Sequence, residues 1–300
     1  MILKRIWRYK YLYLFLFPAL IYYFIFAYIP MYGVTLGFKH FQFNKTMWEL
    51  PWAGWKYLDQ FVNYYKFWDL IRNTLVISFL KLMFGFPAAL GLALLLNEIR
   101  NRWFKRVIQT VSYLPFFVSW VVIITLFSKI LSPNAGPINE LKVKLFGGDP
   151  IFFIGDPSWF YSIVVMSDIW KHVGWNTIIF LAAISAINPD LYEAASMDGA
   201  KRFQRMWYIT LPSLKPIIGI LLILSMGGLM SAGYEQIYLM RQPSNLSVSE
   251  ILDTYIIHMG LRQGYYSLAT VAGLFQGVVS LIIIFTANTI SRRATGVSLW

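Results

Sequence analysis

The sequence predicts an all-α integral membrane protein with six transmembrane helices and both chain ends in the cytoplasm. Of its 300 residues, 58% are hydrophobic and only 13% are charged, which is more apolar surface than a soluble domain can bury. The apolar residues fall into six long runs. The first, residues 11–30, has 20 residues, enough for a helix to cross a hydrocarbon core of about 30 Å.

The distribution of charge predicts the topology. Fourteen of the 26 Lys and Arg residues, but only four of the 14 Asp and Glu residues, lie in four segments: the N-terminus, residues 97–106, residues 188–215 and the C-terminus. Basic residues concentrate on the cytoplasmic side of membrane proteins. The net charge of +12 therefore indicates orientation rather than a nucleic-acid-binding patch.

The first apolar run follows the basic residues Lys4, Arg5, Arg8 and Lys10. A cleaved signal peptide is the alternative, but its apolar region is shorter and ends in small residues, unlike Ala27-Tyr-Ile-Pro30. We therefore expect a retained first helix. Residues 31–69 then lie outside, where their dense aromatic residues form an interfacial belt, cap the protein or contact a partner.

Two further helices complete the first half of the chain. The second, 70–96, contains Gly85-Phe-Pro87, which predicts a kink. It also contains Lys81, which should face the helix bundle or reach toward the interface, because a lysine in lipid is costly. The third helix, 107–131, has Pro115 in its middle. The cytoplasmic loop 97–106 joins these helices, and 132–158 is external.

Three more helices are predicted in the second half of the chain, and no sequence repeat is evident. We predict helices at 159–187, 211–230 and 267–290, joined by a cytoplasmic loop and the external segment 231–266. Small residues in the last two helices, such as Gly227 and Gly277, allow close helix contact. In terms of domains, 1–69 forms the first helix and external segment, 70–291 the transmembrane domain and 292–300 the tail.

The fourth predicted helix carries an unusual polar stripe. Asp168, Lys171, His172 and Trp175 are spaced i, i+3, i+4 and i+7, which places them on one helix face, and Asn176 flanks it. Ionisable residues inside a spanning helix usually mark a pathway. Aromatic and polar groups together suit a sugar, so we predict a substrate path. The alternative is an Asp168–Lys171 ion pair, with Trp175 as a packing residue.

The loop after this helix has a specific residue spacing. Residues 190–212, here called the EAA segment, contain Glu193-Ala194-Ala195, then three residues and Gly199, then nine residues and Ile209, followed after one residue by Leu211-Pro212. This spacing resembles the EAA loop of ABC importer permeases. The resemblance implies a type I ABC importer permease fold, in which a short coupling helix docks into a cleft on the ATPase.

Several stretches resemble the LplB-type branch of oligosaccharide ABC permeases, relatives of the MalF-type maltose permease. They occur in one order along nearly the whole chain: Pro-Met-Tyr-Gly at 30–33, Gly-Phe-Lys at 37–39, Asn-Thr-Leu at 73–75, Leu-Leu-Asn-Glu-Ile-Arg at 95–100, Gln-Thr-Val-Ser-Tyr-Leu-Pro at 109–115, Gly-Tyr-Glu-Gln-Ile-Tyr-Leu at 233–239 and Ser-Leu-Trp at 298–300. The resemblance implies a second homologous permease, two cytoplasmic ATPase subunits, an external sugar-binding protein and the plasma membrane of a Gram-positive bacterium.

The chain is not expected to be an enzyme or to hold a cofactor itself. It contains no Gly-Lys dipeptide and hence no phosphate-binding loop, so the partner ATPase would bind ATP and magnesium. The sequence lacks the Gly-x-Ser-x-Gly pattern of serine hydrolases. Its three histidines, His40, His172 and His258, lack metal-ligand spacing, so no metal site is predicted.

Two sets of candidate residues follow. The small alanines and the flexible glycine of the EAA segment suit docking in a groove, and Glu193 also suits the positive end of a helix dipole. This ATPase-coupling set comprises Glu193, Ala194, Ala195, Asp198, Gly199 and Ala200. The substrate-pathway set comprises Asp168, Lys171, His172, Trp175, Asn176, Ser225, Gly228, Tyr234, Glu235 and Gln236.

Two other functions are alternatives at this point. One is an ion-driven secondary transporter with Asp168 as its coupling site, although such folds show inverted repeats with interrupted helices, a pattern not evident here. The other is a membrane scaffold that transports nothing, which would have no need of a coupling loop.

Overall fold

Helices form nearly all the regular structure of this chain. A computed structural model describes residues 9–299, apart from the side chains of residues 294 and 295. Within that range, extended pairing is limited to one isolated antiparallel bridge, between Lys39 and Trp52. The basic residues Lys4, Arg5 and Arg8 and the terminal Trp300 lie outside the described residues.

The first helix is longer than predicted. Helix α1 spans Lys10–Tyr23, and its path continues through a π-helical turn to a 3-10 turn at Tyr32–Phe38. The helical path therefore covers Lys10–Phe38, eight residues beyond the predicted end at residue 30. Pro30 lies in the first turn of the short helix Ile29–Met31, where its missing N–H and fixed φ are tolerated. Helix α2, Lys56–Val62, follows.

The second predicted helix is continuous and the third is broken. Helix α3, Phe67–Glu98, is the second predicted helix and runs unbroken through Pro87. After it, α4 spans Arg102–Tyr113, a 3-10 turn covers Leu114–Phe117, and α5 spans Trp120–Ile130. The axes bend by 104° between these parts. The one helix predicted over 107–131 is therefore two helices, because Pro115 tightens the turn and the Ser119 hydroxyl caps a new helix.

Helix α6, Pro137–Phe146, lies in a segment that is external in the predicted topology. Two more bends follow it in the chain. Helix α7, Pro157–Ser185, meets α8, Pro189–Met197, at 70°. Helix α9, Arg202–Arg205, continues as helical turns to Ser213 and meets α10, Lys215–Gly227, at 57°.

The segment predicted as the last external loop contains helices. They are α11, Tyr234–Met240, α12, Leu246–Ser249, and α13, Leu252–Ile257. Helix α14, Tyr266–Thr295, completes the described chain. Among the described residues, three helices are long and apolar enough to span a membrane, and up to six spans result if each bent pair counts as one.

The described residues divide into two compact units. The first comprises those within Met1–Phe67 and Ile256–Phe275, and the second those within Trp68–Tyr255 and Gln276–Trp300. In the first unit, the rings of Phe61, Phe67 and Phe275 pack edge to face at 5.2–5.6 Å.

Two apolar clusters in the second unit fix α7 against its neighbours. One cluster joins α3, α5, α7 and α11 through Ile77, Ile124, Phe160, Val164 and Ile237. The other lies nearer the EAA segment and joins α3, α7 and the start of α10 through Ala89, Ala93, Phe180, Ile184 and Leu214. Helix α7 is therefore held along its length, which positions its polar side chains.

Candidate functional site

The EAA segment forms a short helix with a sharp exit. Helix α8 carries Glu193, Ala194 and Ala195, and the Asn188 side chain caps it by accepting a hydrogen bond from the Asp190 N–H at 3.1 Å. The helix ends at Met197, and Gly199 has a φ of 77°. Because side chains disfavour this left-handed conformation, glycine suits the position.

Two side-chain hydrogen bonds tie α8 to the helical turns that follow it. The hydroxyls of Tyr192 and Thr210 lie 2.9 Å apart. The Arg205 guanidinium donates to the Ser196 hydroxyl at 2.6 Å. The segment is therefore held together at two points, which fix α8 against the end of α9 and the turn that follows it.

The outer surface of this segment is open. Glu193, Ala194 and Asp198 are exposed, and Ala195 and Ala200 are half-buried. Met197 is 88% exposed. Among the described residues, neither Glu193 nor Asp198 forms a salt bridge. The carboxylates, the small alanines and one large apolar side chain are thus available to a partner.

A cavity lies beside the middle of α7. Asp168, His172 and Asn176, spaced i, i+4 and i+8, line a 280 Å³ pocket together with Ser225 of α10. Helix α3 contributes Lys81 to the pocket wall. Apolar residues complete the lining: Leu82, Phe86, Ala89, Ile169, Val173, Ile179, Phe180 and Leu221. Four residues of the predicted pathway are therefore brought together around one cavity.

Lys81 was not among the predicted site residues, although its position facing the bundle was expected. Its ammonium lies 3.3 Å from Asp168 Oδ1 and donates to Ala232 O at 2.8 Å and Gln236 Oε1 at 2.5 Å. The alternative Asp168–Lys171 pair was wrong, because Asp168 pairs with Lys81. A charged residue inside an apolar run was the available signal, but its partners lie 87 to 155 residues away along the chain.

His172 links the pocket to aromatic residues. Its Nδ1 lies 3.1 Å from the Asp168 carbonyl oxygen and 3.4 Å from Asp168 Oδ1. The imidazole ring centre lies 5.7 Å from the ring of Trp120 and 6.0 Å from that of Phe116. The carboxylate and the aromatic rings together fix the orientation of the imidazole.

Lys171 and Trp175 face the joint between α4 and α5 instead of the pocket. The Lys171 ammonium donates to the carbonyls of Phe116, at 3.0 Å, and Val118. It also lies 5.3 Å from the centre of the Trp120 ring. Trp175 stacks on Phe116 at 4.3 Å, nearly parallel. The predicted stripe therefore divides between two neighbours, because successive residues lie about 100° apart around a helix, so that Lys171 and Trp175 lie to one side of Asp168 and His172 and Asn176 to the other.

The remaining predicted pathway residues do not line the pocket. Gly228 is the C-terminal cap that follows α10, Tyr234 stacks on Tyr238 and Glu235 is exposed. Gln236 is buried, and its amide donates to Val164 O and Ser167 Oγ, both at 2.8 Å. Gln236 therefore acts on the pocket through Lys81.

Comparison with known proteins identifies relatives over nearly the full length. Residues 82–296 match the family described as "Binding-protein-dependent transport system inner membrane component". Protein LplB of Bacillus subtilis is 46% identical, covering 95% of this chain and 90% of the relative. The polygalacturonan/rhamnogalacturonan transport system permease protein YteP of the same organism is 42% identical, covering 97% and 91%.

A solved structure has the same fold. It is a chain of a bacterial alginate ABC transporter in complex with a periplasmic protein that holds an alginate pentasaccharide. The two chains are 38% identical and superpose with a TM-score of 0.88, over 99% of each. The bends at α4–α5, α7–α8 and α9–α10 therefore occur in a fold already seen in an assembled transporter.

Proposed function

The chain belongs to the family of binding-protein-dependent transport inner membrane components, and from that membership we propose how it takes part in transport. It is a permease subunit of an ABC importer for sugars or oligosaccharides. Because the chain belongs to this family, the two alternatives, an ion-driven transporter and a membrane scaffold, are set aside. The roles of individual residues are our proposal.

The direct succession of α7 and α8 carries this proposal. Helix α7 lines the pocket and ends at Ser185, and α8 begins at Pro189 after a bend of 70°. Only residues 186–188 separate the two helices. A displacement of α8 is therefore transmitted to Asp168, His172 and Asn176 through a helix that is packed along its length.

In the proposed mechanism, the EAA segment docks on a cytoplasmic ATPase subunit. The small Ala194 and Ala195 allow close approach, Glu193 and Asp198 face basic groups of the partner, and Gly199 permits the sharp exit. The bonds Tyr192–Thr210 and Ser196–Arg205 keep the docked surface in one shape. The partner binds ATP and magnesium, and this chain supplies no catalytic group.

The sugar passes through the pocket beside α7. ATP binding closes the ATPases, the EAA segments transmit this to the helices, and the sugar leaves its binding protein for the central cavity. Hydrolysis then restores the inward-facing state. Such a cycle requires contacts that differ between the two states, and Asp168, His172, Asn176 and Ser225 are the proposed contacts on this chain.

The proposed assembly has five protein chains. A second homologous permease forms a heterodimer with this one, two ATPase subunits bind the EAA segments, and an external sugar-binding protein delivers the cargo. The chain ends are cytoplasmic, and the membrane is that of a Gram-positive bacterium, as in the Bacillus relatives.

The test is ATPase activity of the complete complex in vesicles, with oligosaccharides added on the side of the binding protein. Wild type is compared with Gly199→Trp and with Gly147→Trp as the matched control. Both glycines have positive φ and open space around the position of a Cβ, so tryptophan is disfavoured by φ and not by crowding at either position. We expect sugar to stimulate hydrolysis in wild type and Gly147→Trp but not in Gly199→Trp. Equal stimulation in all three would refute the coupling assignment.

A further inference from the structure

The ammonium of Lys81 is fully used inside the protein. It is placed against three acceptors, one each from Asp168, Ala232 and Gln236, at 2.5–3.3 Å. A lysine ammonium has three N–H donors and no acceptor. Lys81 therefore has no donor left for a ligand, although it lines the pocket.

Its partners are themselves held in place. Gln236 is buried, and its amide donates to α7 at two points, Val164 O and Ser167 Oγ. If Lys81 turned toward a ligand, Gln236 Oε1 and the Ala232 carbonyl would lose this donor in a buried site, which is costly. Lys81 thus fastens α3 to α11 and cannot readily exchange its acceptors for a new anion.

The groups still available in the pocket are of a different kind. Within the described chain, no hydrogen bond or ion pair involves Asp168 Oδ2 or the side-chain amide of Asn176. Ser225 uses its hydroxyl proton on the Leu221 carbonyl, so its oxygen remains an acceptor. The pocket therefore offers carboxylate and hydroxyl oxygens to O–H donors, together with the Asn176 amide and the second ring nitrogen of His172, which are neutral groups. It has no unpaired ammonium, because Lys81 is paired with Asp168.

We propose that this pocket takes a hydroxyl-bearing face of a sugar unit and excludes a carboxylate from that position, with Asp168 as the specificity-determining residue. A carboxylate placed there would face the like charge of Asp168, without a free ammonium to receive it. An acidic oligosaccharide would turn its carboxylates toward other parts of the assembly. This inference rests on the proposed sugar path.

The test compares two probes in the reconstituted complex: a galacturonic acid trisaccharide and the galactose trisaccharide of the same linkage. For each, the concentration giving half-maximal stimulation of ATPase activity is measured in wild type and in Asp168→Asn. Because the binding protein is identical in both, its own preference cancels from the wild-type-to-variant ratio. We expect Asp168→Asn to shift the ratio toward the acidic probe by about tenfold.

Two further variants make the result decisive. Asp149→Asn removes an exposed carboxylate away from the pocket lining and should leave the ratio unchanged. The double variant Lys81→Gln/Asp168→Asn removes both charges, so it retains a balanced pocket if the single variant fails to assemble, and it should shift the ratio in the same direction.

The outcomes separate the two levels of inference. If no oligosaccharide stimulates the ATPase activity of the wild-type complex, the residue roles given under the proposed function are wrong. Stimulation in wild type with an unchanged ratio in Asp168→Asn and in the double variant would overturn this inference alone. The same holds for a shift toward the neutral probe.

Discussion

The EAA segment and the α7 pocket lie next to each other in the chain but treat charge in opposite ways. In the EAA segment, Glu193 and Asp198 are exposed and form no salt bridge within the described residues. In the pocket, Asp168 and Lys81 are largely buried and pair with each other. Unpaired exposed charge is available to a partner, whereas buried charge must be satisfied by the chain itself. The first region is built for recognition and the second for a fixed shape.

The comparison is tested most strongly by removing one charge of the buried pair. Lys81→Met would leave Asp168 without its ion-pair partner and Gln236 Oε1 without this donor. Breaking a buried pair in this way lowers the free energy of unfolding by about 3–5 kcal/mol. We expect a large drop in the thermal unfolding temperature of the purified chain in detergent. Lys129→Met, which removes an exposed lysine on α5, should leave the unfolding temperature nearly unchanged. Similar unfolding temperatures for the two variants would contradict the buried-pair interpretation.

A second change tests whether the other side of α7 is equally fixed. A Cβ at Gly174 would lie 2.1 Å from the Ser112 carbonyl oxygen of α4, so Gly174→Ala forces the two helices apart. We expect a loss of about 1–3 kcal/mol in unfolding free energy, the usual cost of overpacking.

The matched control is Gly91→Ala on α3, where no atom lies within 4 Å of the added Cβ. Alanine there should be neutral or mildly stabilising, because it forms helices better than glycine. Chemical unfolding of both variants in mixed micelles gives the comparison. Equal stability of the two would show that α4 and α7 adjust to each other freely.

The smallest effect on stability is expected in the EAA segment. Glu193→Gln keeps the shape of the side chain and removes an exposed charge, so the unfolding free energy should change by less than about 0.5 kcal/mol. Sugar-stimulated ATPase activity should nevertheless fall severalfold, because the carboxylate acts on the partner. Glu140→Gln on the exposed face of α6 is the control, and it should affect neither quantity. A loss of stability in Glu193→Gln would place that carboxylate among the folding contacts.

The two regions also differ in how far the sequence predicts them. The short helix at Glu193–Ala195 was implied by the resemblance, and α8 ends before Gly199 as the glycine suggests, but Glu193 lies in the middle of α8 and not at its positive end. The spacing along α7 correctly places Asp168 and His172 together, whereas Lys171 and Trp175 face a different neighbour. The partner of Asp168 does not follow from spacing, because Lys81 is 87 positions earlier and Lys171 was the nearer choice. Contacts between distant segments depend on packing of whole helices, which a periodic pattern does not encode.

The break between α4 and α5 was missed for a related reason. Pro115 within an apolar run is compatible with a kinked helix as well as with a 104° bend. Besides Pro115 and the Ser119 cap, the bend is stabilised by the Lys171 ammonium of α7, which donates hydrogen bonds to the Phe116 and Val118 carbonyls freed by the break. The apolar pattern predicted a membrane crossing, but the contact with Lys171, more than 50 residues away along the chain, was not visible in it.

Helix α1 has a consequence for the order in which the protein is made. Its apolar window has no residue buried by the rest of the described chain, yet its backbone hydrogen bonds are formed within the helix, as lipid requires. Among the described spans it is the most N-terminal, so it leaves the ribosome before the others. Its insertion therefore need not wait for any later helix, and α1 can hold the nascent chain at the bilayer while the interdependent, bent helices behind it are still being synthesised.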